Sequence, residues 1–253
     1  MPLIDSHAHL DFSEFDDDRH AVIARARDAG LVAIVNIGTS VASSRASVTL
    51  AEEHDFIYAT VGIHPHEAKM ADREALDELR ALAGHPKVVA IGEIGLDYYR
   101  DRSPRPAQQQ AFRDQLDLAS SLELPVVIHS RQAHDEVFAA LHSWDGTGVL
   151  HTYAAGPERL DEALDMGFFI GISGPVTFST AEPLRDVARA VPLDRLLVET
   201  DCPYLTPEPH RGKRNEPAYV RHVVEAIAQA RSKPVERIAD LTTHNARTLL
   251  GLP

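Results

Sequence analysis

The chain has 253 residues, 44% of them hydrophobic and 25% charged, which suits one globular domain with a full core. No run approaches the roughly 18 apolar residues of a membrane span, and the opening MPLIDSHAHLDF has neither a basic n-region nor an apolar h-region, so a cytoplasmic location without membrane contact is expected. A net charge of −13 argues against general adhesion to polyanions and leaves any nucleic-acid contact to a local patch, while the lone Cys202 has no disulfide partner in the chain and reads as a small packed residue rather than a reactive thiol.

Runs rich in Val and Ile predict strands at residues 2–5, 32–37, 57–62, 88–92, 125–128, 148–150, 168–172 and 195–199. Between them, residues 17–29, 41–54, 73–83, 107–122 and 157–166 carry apolar positions at three-to-four spacing on a charged background, the pattern of amphipathic helices. Residues 216–230, 235–241 and 244–250 predict a final helical layer. Nearly continuous apolar strands separated by helices imply a parallel sheet covered on its outer face, and the number of repeats closes into an α/β (β/α)8 TIM barrel, one domain over residues 1–253. A doubly wound open sheet is the structural alternative. Two stretches break the spacing: residues 98–106, rich in Arg and Pro, and residues 203–217, where four Pro accompany His210, Arg211, Lys213 and Arg214.

Most of these strands run into a candidate ligand. The first leads into Asp5-Ser6-His7-Ala8-His9, where alternation along an extended chain sets His7 and His9 on one face, able to converge on one ion. The third leads to His64 and His66, the fourth to Glu93 and Asp97, the fifth to His129, the sixth to His151 and the eighth to Glu199 and Asp201. In a parallel barrel all these ends share one mouth. A single strand-end His or carboxylate is usually a structural hydrogen-bonding group, but several carboxylates buried together without cations would be strongly unfavourable. The set therefore predicts a metal site built from imidazole and carboxylate, without thiolate, which suits Mg, Mn or Zn.

The sequence resembles the TatD family of metal-dependent deoxyribonucleases among the amidohydrolase-like barrels. The resemblance is carried by DSHAHLD at residues 5–11, GIHPH at 62–66, GEIGLDYYR at 92–100, PVVIHSR at 125–131, LVETDCPYL at 197–205 and RGKRNEP at 211–217. It implies that His7, His9 and Asp201 hold one divalent ion, that Glu93 bridges, and that His129 with His151 hold a second. It implies Mg as the metal, with Mn or Zn as substitutes. It also implies two-metal activation of water and hydrolysis of phosphodiester bonds at the 3′ ends of single-stranded or frayed DNA, with RNA ends as a further substrate and no obligate protein partner. Where the family carries an HCFSG-like segment this chain reads His151-Thr152-Tyr153-Ala154-Ala155-Gly156, which keeps the ligand and alters the loop beside it.

Within that frame Glu93 and Asp201 are the catalytic candidates, Asp201 combining coordination with proton acceptance. Glu199 reads either as a support for the ligands or as a buried partner of a helix or arginine, His64 either as a substrate-orienting group or as a cap on its loop, and His66 as structural. Arg131, Arg211, Lys213 and Arg214 suit bidentate contacts to phosphate, against the alternative of a solvated cluster, and Tyr98 or Tyr99 suits stacking on a base, against packing under the loop. Two rival functions are an amidohydrolase-like esterase, lactonase or small phosphoesterase using similar metal chemistry, and a metal-stabilised protein that captures nucleic-acid ends without turnover. The absence of an obvious bridging lysine counts against the first, and the complete ligand set against the second.

Overall fold

A computed structural model describes all residues, Met1–Pro253. Eight parallel strands follow one another around a single sheet: β1 (Leu3–Ala8), β2 (Leu31–Asn36), β3 (Ile57–Val61), β4 (Val88–Asp97), β5 (Val126–Arg131), β6 (Gly148–Leu150), β7 (Phe169–Ile172) and β8 (Leu196–Val198). The ring closes just beyond β8, where Asp201 N donates to His7 O at 2.9 Å, His9 N donates to Cys202 O at 2.9 Å, and Ala8 and Cys202 form a parallel bridge. This is the (β/α)8 barrel expected from the strand count.

Helices α1 (Arg19–Asp28), α2 (Val41–Glu53), α3 (Arg73–Ala83), α4 (Arg105–Leu122), α5 (His134–His142), α6 (Leu160–Asp165), α7 (Glu182–Ala190), α8 (Val220–Ala230) and α9 (Val235–Leu250) complete the fold. Local chemistry sets several of their ends. Ser40 Oγ accepts from Ser43 N to start α2, Asp72 Oδ1 accepts from Ala75 N to start α3, and Gly251 ends α9 at φ 63°. No helix is long and apolar enough to cross a membrane.

Two apolar cores result. The larger, of 55 buried residues, joins strands to helices. The smaller, of 14, takes Ile4, Val35, Val89, Val127, Val149, Phe169 and Leu197 from strands all round the ring, with Ala246, Leu249 and Leu250 of α9. Side chains from every side of a barrel can meet only within it, so the lower interior is packed and the upper interior is left to polar groups.

Three expectations need correction. β1, β4 and β5 run further than their apolar stretches, so that His7, Glu93 and His129 lie within strands rather than beyond them. Helix α9 is continuous where two helices were expected, because Thr242 and Thr243 are buried within it and Thr242 Oγ1 bonds back to Ile238 O at 3.0 Å. Residues 157–159 form a 3-10 turn rather than the start of α6.

The β4–β5 seam depends on one glycine. Gly95 has φ +140°, and a Cβ there would stand 2.0 Å from His129 O. Only glycine lets these two strands approach while Glu93, before it on β4, and His129, opposite it on β5, reach the same centre.

Candidate metal centre

Imidazole and carboxylate side chains converge at the C-terminal end of the strands, most of them buried and His66, His129 and Asp201 partly so. His7 Nε2 lies 3.2 Å from His9 Nε2, 3.4 Å from Glu93 Oε2 and 3.6 Å from Asp201 Oδ1, and His9 Nε2 lies 3.4 Å from the same Asp201 oxygen. On the other side of Glu93, Oε1 lies 2.8 Å from His129 Nδ1, 3.7 Å from His64 Nε2 and 4.0 Å from His151 Nε2. One carboxylate therefore faces two clusters.

These donors fit divalent cations. Separations of 3.2–3.8 Å among His7, His9, Glu93 and Asp201 match the edges of a coordination polyhedron with bonds of about 2.0–2.2 Å. Two imidazole nitrogens 3.2 Å apart cannot both act as donors without repulsion, so at least one presents a lone pair, and a cation between them would accept a lone pair from each. Three-residue groups able to hold an ion are His7–His9–Asp201, His7–Glu93–His151 and His64–Glu93–His129. His129 and His151, expected to share one ion, both face Glu93 Oε1, at 2.8 and 4.0 Å. His151 stacks on His7 with ring centroids 3.5 Å apart, while His129 groups with His64.

The electrostatics follow from this crowding. Burial alone would raise the Glu93 carboxyl, but His64, His129 and His7 around it hold it well below the usual range, and Asp201 is likewise held down by His151 and His9 against its burial. Burial opposes charge on the histidines too. Asp97 and Glu93 nevertheless push His129 up to about 8, and Glu199 with Asp201 push His151 up to about 10. His64, without a hydrogen-bonded carboxylate, is driven by burial well below the ordinary histidine value. Without cations, protons take their place between the carboxylates.

Residues 4–251 match the family described as TatD related DNase. The chain belongs to this family. It is 42% identical over 253 residues to the uncharacterized metal-dependent hydrolase YabD of Bacillus subtilis (strain 168), covering 99% of both chains. It is 39% identical over 259 residues to the 3′-5′ ssDNA/RNA exonuclease TatD of Pantoea ananatis (strain LMG 20103), covering 99% of this chain and 100% of that one. The crystal structure of YjjV, a TatD homolog from Escherichia coli K12, superposes with a TM-score of 0.93 at 32% identity, covering 99% of this chain and 98% of that one. As a TatD-family member the chain is a metal-dependent hydrolase.

Around the TatD ligand set lies a supporting layer. Glu199 is fully buried and has no arginine: Oε1 lies 2.8 Å from His151 Nδ1 and accepts from Thr152 N at 2.5 Å, while Oε2 has no partner. His64 does two things at once, Nδ1 accepting from His66 N at 3.1 Å to cap the following turn while Nε2 faces Glu93. His66 pairs with Asp97 at 3.0 Å, and Asp97 Oδ2 also reaches His129 Nε2 at 3.3 Å. The motifs alone assign Asp97 no role of its own. Strand alternation carried the signal, because residues 93, 95 and 97 share parity along β4. Cys202 is buried and its thiol is pushed far up by burial, which makes it a packed residue.

A cavity of about 810 Å³ opens above the cluster, lined by His64, Glu93, His129, Arg131, His151 and Asp201 among others. Arg131 is where it was expected. Tyr98 and Arg211 are not on this cavity. Tyr98 is 8% exposed, its hydroxyl accepts from Gln109 Nε2 at 2.8 Å, and Arg105 covers its ring, so it packs beneath the loop. Arg211 lies over Phe178, which follows β7, at 4.2 Å, and Arg214 is tied to Asp18 at the start of α1 at 2.8 Å. Arg100, which ends the GEIGLDYYR motif, and Arg102 of the Arg-rich 98–106 stretch line the cavity in their place, neither of them among the expected phosphate contacts.

Proposed function

We propose that this TatD-family protein is a divalent-metal-dependent exonuclease that removes nucleotides from the 3′ ends of single-stranded DNA, with RNA ends also accepted. The observation that carries this reading is the placement of Glu93, one oxygen toward His7 and His9 and the other toward His129, His64 and His151. A carboxylate shared in this way suits two ions near each other, the arrangement that serves in-line displacement at phosphorus. His7, His9 and Asp201 would hold one ion, His64 and His129 the other, with Glu93 between and His151 adding a donor beside them. Imidazole and carboxylate donors without thiolate suit Mg, Mn or Zn alike, and among these the likeness to the TatD family favours Mg.

Bound cations would supply Lewis acidity toward a phosphoryl oxygen and ease the deprotonation of water. The chain's own residues do the rest. Asp201, at 14% side-chain exposure, stands at the floor of the cavity as an ionised carboxylate able to accept a proton at Oδ. Glu199 fixes the orientation of His151, and Asp97 that of His129. Arg131 on the rim binds phosphate oxygens.

A panel of 3′-labelled single-stranded DNA, RNA and simple carboxylic and phosphate esters, with and without EDTA and with Mg, Mn or Zn restored, tests the proposal. Metal-dependent release of nucleotides from DNA is expected. Ester cleavage without nucleotide release would instead mark a small-molecule hydrolase, and metal-dependent binding without product a capture protein.

A further inference from the structure

The rim of the cavity is divided by chemistry. On one side stand the side chains that follow β4 and end β5: Arg100, Arg102 and Arg131, all exposed and none with a carboxylate within ion-pairing distance, in a chain of net charge −13. Across the barrel, beside β1 and β8, stand Phe12 and Tyr204. Phe12 lies flat on the His9 ring, with centroids 4.6 Å apart and planes at 13°, and itself lines the cavity. Tyr204 meets Phe12 edge-on at 6.3 Å and is 50% exposed. Its backbone is pinned, N donating to Asp201 O at 2.9 Å and O accepting from Asn215 Nδ2 at 2.6 Å, so the ring is presented on a fixed support.

The two tyrosines first considered for base stacking are already engaged. Tyr98 is buried, and Arg131 lies over the Tyr99 ring at 4.1 Å. Guanidiniums without carboxylate partners on one rim, Arg131 and Arg100 resting over Tyr99 at 4.1 and 5.5 Å, and aromatic side chains on the other match the two ends of a nucleotide, a phosphate and a base.

We propose that Phe12 and Tyr204 form a stacking wall for one base flanking the scissile phosphate, while Arg100, Arg102 and Arg131 hold the strand's backbone on the opposite rim. The inference rests on the nuclease reading above and adds how the strand lies across the centre. The wall is sequence-tolerant, because every base has a π face. It makes the base, and not only the phosphodiester, part of what is recognised.

The test compares a single-stranded oligodeoxynucleotide with the same oligonucleotide carrying tetrahydrofuran abasic residues at its last two 3′ positions, with Mg present. For the wild-type protein kcat/KM should favour the intact strand by about tenfold, and in Tyr204→Ala, Phe12→Leu and their combination the ratio of intact to abasic kcat/KM should fall to about one. Arg100→Gln should slow both substrates alike, since both keep their phosphates. Equal losses on both substrates in the aromatic variants would mean that Phe12 only props His9, and would overturn the wall. Wild-type cleavage with no preference for the intact strand would overturn it as well. A wild-type protein that cleaves neither oligonucleotide would overturn the nuclease reading itself, and this inference with it.

Discussion

Glu199 Oε1 stands 2.8 Å from His151 Nδ1, which turns His151 Nε2 toward Asp201 at 3.7 Å and Glu93 at 4.0 Å. The carboxylate thereby sets both the orientation and the basicity of a ring that faces the metal centre. Its second oxygen is buried without a partner, while the first also accepts from Thr152 N at 2.5 Å and Thr152 Oγ1 at 3.0 Å, which hold the carboxylate against His151. Glu199→Gln keeps the volume and loses the charge. Metal affinity, read by calorimetric titration with Mn, should fall by roughly 10- to 100-fold with an unchanged circular-dichroism spectrum. Unaltered affinity would remove Glu199 from this role.

Glu93→Ala removes the one carboxylate common to both clusters and no core packing, since Glu93 sits in the polar upper interior among histidines. Turnover should drop by at least about a thousandfold while far-ultraviolet dichroism shows an intact barrel. Near-normal turnover in a folded variant would refute the shared-ligand role.

Above pH 6.5, where the depressed carboxylates and lowered histidines no longer titrate, the metal-free protein should lose stability as pH rises. Asp5 is pushed by burial from 3.8 up to about 7, so its ionisation penalises the folded state progressively between those values. His129 and His151 are raised from 6.5 to about 8 and about 10, so their stabilisation is complete below 6.5 and disappears as pH climbs through those two values. Cations must displace the same protons, and added Mn should therefore raise the melting temperature more at pH 9 than at pH 6. Calorimetry with EDTA or Mn across that range reads the effect directly, and a metal increment that shrinks with rising pH would contradict it.

Gly95 and Gly167 both have positive φ, at +140° and +81°, but only Gly95 faces an obstacle: a Cβ added there would meet His129 O at 2.0 Å, whereas one at Gly167 would find nothing within 4 Å. Gly95→Ala should destabilise the fold by about 3–5 kcal/mol, through steric displacement of β5. Gly167→Ala should cost only about 1 kcal/mol. Urea titration of the two variants separates conformational strain from crowding, and equal costs would show that close strand approach is not the reason for the glycine at residue 95.

Much of this protein is written in local pattern. Val- and Ile-rich runs recurring between amphipathic segments determine the eight strands and their order, and the polar residue at the end of most runs marks the metal centre, because both features are properties of consecutive residues. Where β1, β4 and β5 stop was not legible, since His7, Glu93 and His129 end the apolar pattern without ending the ladder. The same limit applies to partners. Only closure of the ring brings Glu199 to His151, His64 to Glu93 and Asp97 to His129 across 48, 29 and 32 positions, and turns Tyr98 and Arg211 away while presenting Arg100, Phe12 and Tyr204. Residue type and spacing decide which side chains can bind an ion; which of them share one depends on strand register and packing, which no short window of sequence contains.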